Sequence, residues 1–325
     1  MRTLVTGANG FIGAQLCRAL RARGDAVRVL VRKSSNLKLL EGVEVEQAFG
    51  DVTDAPSVAA AVSGVDVVYH LAGIRRTPHP EDFHAVNVEG TRHVLEAAAA
   101  QPTPPRVVLA GSLSATGPSE DAPLTEDAPF RPVEPYGRSK VEAEQVCAEF
   151  AGRVPVAIGR PPRVLGPGDR ENLAFVKIVQ KGLLLQLTGA PRHLSMIDVD
   201  DVVEGFVQLG THPRAAGQTF FLTAPDTLTL ARLQEVAAQT LGRPIRIRIP
   251  LAPWGLRGSA WLADHISKVT GHHLPLNHKL AEQLLARGWW CSGEKAERML
   301  GFRAKHGLED SVARSVRWYQ QHGWI

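Results

Sequence analysis

Thr6-Gly7-Ala8-Asn9-Gly10-Phe11-Ile12-Gly13 joins two segments of different hydrophobic period, and this placement constrains the chain more than any other feature. Ahead of it, Thr3-Leu4-Val5 is a short apolar strand signal. Behind it, Ile12, Leu16 and Leu20 recur at helical spacing until Gly24 ends the pattern. Strand, glycine turn and helix in that order are the context of a dinucleotide fingerprint; the same glycines elsewhere would be an ordinary tight turn. Gly7 permits the sharp exit from the strand, Gly10 lets the backbone approach a pyrophosphate, and Gly13 lets the helix lie close to the sheet. The phosphates then meet free N–H groups at the positive end of the helix. The turn therefore predicts a cofactor site built from Thr6, Gly7, Asn9, Gly10, Phe11, Ile12 and Gly13.

The second strand, Ala26–Val31, ends at Arg32-Lys33. About 20 residues beyond such a turn, an acidic side chain suits the ribose hydroxyls of NAD, whereas arginine suits a 2′-phosphate. Asp25 lies at the wrong end of the strand, so Arg32 and Lys33 favour NADP, with NAD as the second choice. The plainer alternative is a solvated basic pair. Val43-Glu44-Val45 reads as a third strand leading to Asp51 and Val52, followed by a short helix over 57–62. Asp66–Gly73 and Arg106–Ala110 read as buried central strands, separated by a helix over 82–100. This alternation means an α/β protein with a parallel sheet wrapped on both faces and ligands at the carboxyl ends of its strands.

Tyr136 and Lys140 are four residues apart on a helix predicted to run to Ala151, so they share a face. An ammonium beside a phenol favours the phenolate, and such a tyrosine can exchange a proton with a substrate oxygen. Ser112 or Ser114, in the loop after the Arg106–Ala110 strand, could hold that oxygen. The pair alone is a common surface motif; its position after that strand is what makes it informative.

The chain has 325 residues, 44% hydrophobic and 22% charged, as a folded globular protein does. A net charge of +4 with no basic block argues against a nucleic-acid partner. Cys17, Cys147 and Cys291 are scattered and odd in number, which suits buried thiols in a reducing compartment. With no leader pattern and no uninterrupted apolar run of about 18 residues, a cytoplasmic protein without a membrane span is expected. The histidines, His272-His273 included, lack an ordered ligand set with nearby acids, so no metal is expected.

These motifs resemble those of the extended short-chain dehydrogenase/reductase family, of the epimerase/dehydratase type. The turn Thr6–Gly13 is similar to the family's TGxxGxxG, and Asp51-Val52 to its adenine-contacting pair. His70-Leu71-Ala72-Gly73 is similar to the segment beside the nicotinamide ribose, and Asn87 to the helix asparagine. Tyr136 and Lys140 match the catalytic pair, and Ser112, five residues before Gly117, matches the catalytic serine. Arg160-Pro161-Pro162-Arg163 resembles the strand and loop before the substrate region, and Ile197–Asp201 the late acidic turn.

The resemblance implies a Rossmann domain over 1–160, with segments around 187–210 returning to it, and a smaller mixed α/β substrate domain over 161–325. It implies hydride transfer with Tyr136 moving the proton, Lys140 tuning it and holding the ribose, Ser112 polarising the oxygen and Asn87 supporting a water chain. Leu71, Ala72, Gly73 and Pro161 would join the cofactor site, and a homodimer is the family expectation. Where dehydratase branches carry acids this chain has Leu113-Ser114, and where epimerases carry asparagine it has Arg163. Leu194-Ser195-Met196 stands where they grip a diphosphate with arginine, and Gly111 where relatives carry a second serine; Arg163 or Arg192 are candidates to compensate.

In the second half, helices are expected over 172–181, 202–209 and 230–241, and strands over 218–222 and 245–249. Residues 251–276, with Trp254, Trp261, Leu262 and Ile266, read as an amphipathic lid, a membrane-surface contact or the packing of a small helical unit. Trp289, Trp290 and the last helix, with Trp318 and Tyr319, read as packing. Arg75, Ser114 and Arg163 are the candidate substrate contacts, Arg75 toward an acidic group. Similarity to steroid- and flavonoid-type reductases favours a reductase or dehydrogenase acting on a small, lipophilic substrate. The alternatives are an NAD-retaining nucleotide-sugar epimerase and a nonenzymatic dinucleotide sensor.

Overall fold

The computed structural model describes residues 1–190, 192–270, 281–282 and 285–325; His272, His273 and the end of the 251–276 segment lie outside the described residues. The strands in chain order are β1 (Arg2–Thr6), β2 (Ala26–Val31), β3 (Glu46–Phe49), β4 (Val67–His70), β5 (Arg106–Ala110), β6 (Val156–Arg160), β7 (Arg163–Leu165), β8 (Leu183–Leu187), β9 (Leu194–Asp198), β10 (Gln218–Phe221), β11 (Thr227–Leu228) and β12 (Ile247–Leu251). The helices are α1 (Phe11–Ala22), α2 (Ala55–Val62), α3 (Gly90–Ala99), α4 (Pro135–Glu149), α5 (Leu173–Gln180), α6 (Val199–Thr211), α7 (Leu230–Leu241), α8 (Pro253–Thr270), α9 (Glu294–Leu300) and α10 (Leu308–Gln321).

Seven strands pair in the order β10-β6-β5-β4-β1-β2-β3, every neighbour parallel. This is a Rossmann-like doubly wound sheet. Alternate residues of β1 serve opposite faces: Val5 packs with Leu16, Leu20 and Phe206, Leu4 with Val68, Leu95 and Val146. The chain order reverses between β1 and β4, and a crevice opens beyond the carboxyl ends at that point. Two small sheets, β11-β9-β7 and β12-β8, lie with α5, α7 and α10 around Val176, Leu233, Val316 and Tyr319.

Three expectations are corrected locally. The third strand is Glu46–Phe49 rather than Val43–Val45. Val43 and Val45 do pack against the core, but as irregular chain, and the Arg28 Nε–Glu46 Oε1 pair at 2.9 Å accompanies the edge register. The helix expected over 82–100 opens with a π-helical turn, Phe83–Glu89, before α3 begins. The strand expected over 245–249 is shifted to Ile247–Leu251, where it pairs in parallel with β8.

The α8 helix buries Leu256, Ala260 and Ala263, while Trp254 and Trp261 are 81% and 67% exposed. Among the described residues no helix is long and apolar enough to cross a membrane.

Candidate active site

The glycine turn is held by close approach of backbone to backbone. Gly7 has φ 69°, and a Cβ there would lie 2.7 Å from the nitrogen of Ala72. A Cβ on Gly13 would stand 2.2 Å from the carbonyl oxygen of Gly7. The α1 helix starts after Gly10 with no side-chain cap and no acid in its first turn. Its end is thus open to an anion.

Thr6 faces the other way and ties strands together. Its Oγ1 lies 2.8 Å from His70 Nδ1 and accepts from the backbone N–H of Ala72 at 3.1 Å. His70 is buried, and burial, followed by the Lys140 ammonium, pushes its pKa down to about 3. It is therefore neutral. His70 Nε2 lies 3.1 Å from the Thr91 hydroxyl, which donates to the Asn87 carbonyl. Because that hydroxyl spends its proton on Asn87, hydrogen-bond accounting assigns the ring proton to Nε2.

Asn87 lies in the π-helical turn and is 2% exposed. Its Oδ1 accepts from the Ile74 N–H at 2.8 Å, and its Nδ2 donates to the Ile74 carbonyl and to Ser139 Oγ. It fixes the chain just after Gly73 against α4. Lys140 Nζ donates to the Ala110 carbonyl at 2.7 Å and lies 5.7 Å from the Tyr136 ring centroid. Ser112 Oγ accepts from the Ser114 N–H at 3.1 Å and caps a short 3₁₀ turn over 113–115. Gly111, where the family resemblance places a second serine, leaves a side chain too little space unless its neighbours shift. A Cβ there would sit 2.8 Å from Glu144 Oε1, one half of a buried pair with Arg160 closed at 2.6 Å.

One cavity of about 1460 Å³ unites most of these groups. Gly7, Asn9, Gly10, Phe11, Ile12 and Gly13 line one part, and Leu71, Gly73, Ser112, Ser114, Tyr136, Lys140 and Pro161 the next. Arg75 and Arg163 follow. Thr6, Arg32, Lys33, Asp51, Val52, Ala72 and Asn87 are not among its lining residues. Arg32 lies beyond β2 with Nη1 3.7 Å from Asp51 Oδ2, and Val52 is buried beneath Gly90. Phe175, Leu187, Trp289, Trp318 and Trp324 also line the cavity. From the sequence Trp289 and Trp318 read as packing and Trp324 drew no reading; their aromatic character was the available signal.

The late acidic turn has structural partners. Asp198 caps α6, Asp201 receives the N–H groups of Lys305 and His306, and Arg314 reaches Asp198 at 3.1 Å. Asp198, Asp200 and His306 place ligand atoms within 4.8 Å of one another, but the Arg314 guanidinium already pairs with both aspartates.

The profile of the NAD dependent epimerase/dehydratase family matches residues 3–222, the part that holds the glycine turn, the tyrosine–lysine pair and the whole parallel sheet. The chain belongs to this family. It is an extended short-chain dehydrogenase/reductase and an NAD(P)-dependent hydride-transfer oxidoreductase. Sterol demethylase protein B of Methylococcus capsulatus is 29% identical over 333 residues, covering 100% of both chains. Ceramide reductase of Caulobacter vibrioides is 30% identical over 322 residues, covering 99% of this chain and 95% of that one. Among solved structures, the dTDP-glucose 4,6-dehydratase DesIV of Streptomyces venezuelae, with NAD and TYD bound, has a TM-score of 0.79. It is 26% identical and covers 100% of this chain and 98% of that one.

Proposed function

We propose that this protein is a carbonyl reductase or alcohol dehydrogenase, preferring NADP, that acts on a lipophilic hydroxy or keto substrate. One observation carries the reading: a single cavity is lined by the glycine turn, by Ser112, Tyr136 and Lys140, and by Phe175, Trp289, Trp318 and Trp324. The open, uncapped end of α1 fits a dinucleotide pyrophosphate, and the missing side chains of Gly7 and Gly13 let the turn close tightly against Leu71, Ala72 and itself. The names of the sterol and ceramide relatives agree with a lipid-like substrate.

A bound nicotinamide dinucleotide supplies or accepts the hydride. The protein's own groups handle the substrate oxygen. The Ser112 hydroxyl hydrogen-bonds that oxygen, and the Tyr136 hydroxyl moves the proton to or from it. The Lys140 ammonium, 5.7 Å from the Tyr136 ring centroid, is the group that would hold a cofactor hydroxyl. Asn87 acts as a positioning residue through Ile74 and Ser139 rather than by contact. Arg32 and Lys33, exposed past β2, are the groups suited to a 2′-phosphate. The test is net oxidation of added NADPH with a panel of apolar ketones, beside a panel of nucleotide sugars. Ketone-dependent oxidation supports the reductase. Tightly retained NAD with sugar interconversion and no net oxidation would replace it with an epimerase.

A further inference from the structure

The wall of the cavity beside Tyr136 carries more positive charge than its neighbours neutralise. Arg163, at the start of β7, donates to the neutral amide of Asn172 at 3.0 Å and has no direct ion-pair partner among the described residues. Arg75 lies with its guanidinium carbon 5.9 Å from the Tyr136 ring centroid. Its carboxylate partner Glu171, at 3.4 Å, is shared: Arg76 reaches the same oxygen at 2.8 Å. Of the other acids on this wall, Glu134 stands two residues before Tyr136, and Asp169 is 1% exposed and already accepts from the Glu171 N–H and the Asn172 amide. Burial raises the pKa of Asp169, which weakens it as a counter-charge. Burial, and after it the Arg75 charge, lower the pKa of Arg163 against the opposing charges of Asp169 and Glu171.

Crowded guanidiniums of this kind are relieved by an anion, and arginine matches a carboxylate with two parallel hydrogen bonds. The pyrophosphate of a dinucleotide is accounted for at the glycine turn, so these arginines are left for the other ligand. We propose that Arg163 and Arg75 form a subsite for a carboxylate of the substrate, close to the carbon served by Ser112 and Tyr136. The substrate is then a lipophilic hydroxy or oxo acid rather than a neutral alcohol or ketone. This inference rests on the reductase reading and adds the charge of the substrate to it.

The test uses the full chain, with 3-hydroxypalmitic acid and its methyl ester oxidised by NADP or NAD. In the wild type the acid should exceed the ester in kcat/KM by about tenfold or more, the worth of one charge-assisted hydrogen-bond pair. That ratio should collapse toward one in Arg163→Gln, fall in Arg75→Gln, and be kept in part by Arg163→Lys. Equal kcat/KM for acid and ester overturns the subsite and leaves the reductase standing. So does an Arg163→Gln defect that appears in cofactor affinity with the acid-to-ester ratio unchanged. If neither compound is turned over, the reductase reading fails for this class, and binding still decides the subsite. With cofactor present, an acid that raises the melting temperature no more than its ester overturns it, and a larger rise that Arg163→Gln removes supports it.

Discussion

Lys140 Nζ donates a 2.7 Å hydrogen bond to the carbonyl oxygen of Ala110, which ties the helix of Tyr136 to the last residue of β5. The lysine thereby sets where the tyrosine stands relative to Ser112, two residues past that carbonyl. Asn87, through Ile74 and Ser139, braces the same helix from the side of β4. The proposed proton-handling groups therefore sit on a frame of two strand ends and one helix, as precise positioning requires.

Tyr136→Phe removes one hydroxyl from this frame and leaves its ring in place. General acid–base catalysis contributes about 10²–10⁴-fold, so turnover should fall by at least that lower figure. Cofactor affinity should stay within a few-fold in a fluorescence titration. Undiminished turnover would eliminate the proton-transfer role.

Gly13→Ala places a methyl group where the Gly7 carbonyl oxygen lies 2.2 Å away. The turn must open, so we expect a stability loss of about 1–3 kcal/mol together with a large loss of dinucleotide affinity. Urea unfolding and calorimetric titration read the two effects separately. Wild-type affinity in this variant would mean that the turn is not the phosphate cradle.

Arg32→Asp replaces the guanidinium past β2 by the acidic group that suits ribose hydroxyls. The ratio of kcat/KM for NADPH over NADH should reverse toward NADH. Because Arg32 also lies 3.7 Å from Asp51, the melting temperature should be recorded alongside. An unchanged ratio would leave Arg32 as a solvated surface charge.

His70 predicts a pH dependence of stability. Burial pushes its pKa down to about 3 from the ordinary 6.5. Below pH 6.5 the unfolded chain takes up a proton that the native fold refuses. The contribution is therefore complete above that pH and declines as the pH falls toward 3, by about 1.4 kcal/mol per unit. Urea unfolding of wild type and His70→Gln between pH 7 and 5 should give a shallower slope in the variant, by a difference that grows toward about one proton near pH 5. Equal slopes would show that His70 titrates alike in both states.

Glu144 and Arg160 are each 4% exposed and joined at 2.6 Å. Removing one partner strands the other charge in the core, so Glu144→Ala should destabilise by about 3–5 kcal/mol. Glu144→Met combined with Arg160→Met should recover part of that loss. Denaturant unfolding of the three variants decides; additive losses would refute the pairing argument.

What could be read from the chain alone was local. The α7 helix ends at Gly242 with φ 62°, as the helical stripe followed by glycine implied. The strand Arg106–Ala110 needed only its apolar run. The third strand could not be placed this way, because Val43 and Val45 pack half-buried against the core without pairing while the polar Glu46 pairs with β2. The π-helical turn at Asn87 has no hydrophobic period of its own and emerges only where α3 and α4 meet the chain after β4.

The sequence by itself determined the glycine turn, the parallel alternation and the tyrosine–lysine spacing, because each depends on neighbours a few residues away. Only the tertiary structure decided that a side chain at Gly111 would crowd the Glu144–Arg160 pair, and that Trp289, Trp318 and Trp324 line the cavity. It also decided that Arg75 lies 5.9 Å from the Tyr136 ring centroid and that Arg163 lines the same cavity. These relations join residues far apart in the chain, and packing across the sheet and its crossovers, rather than any local preference, brings them together.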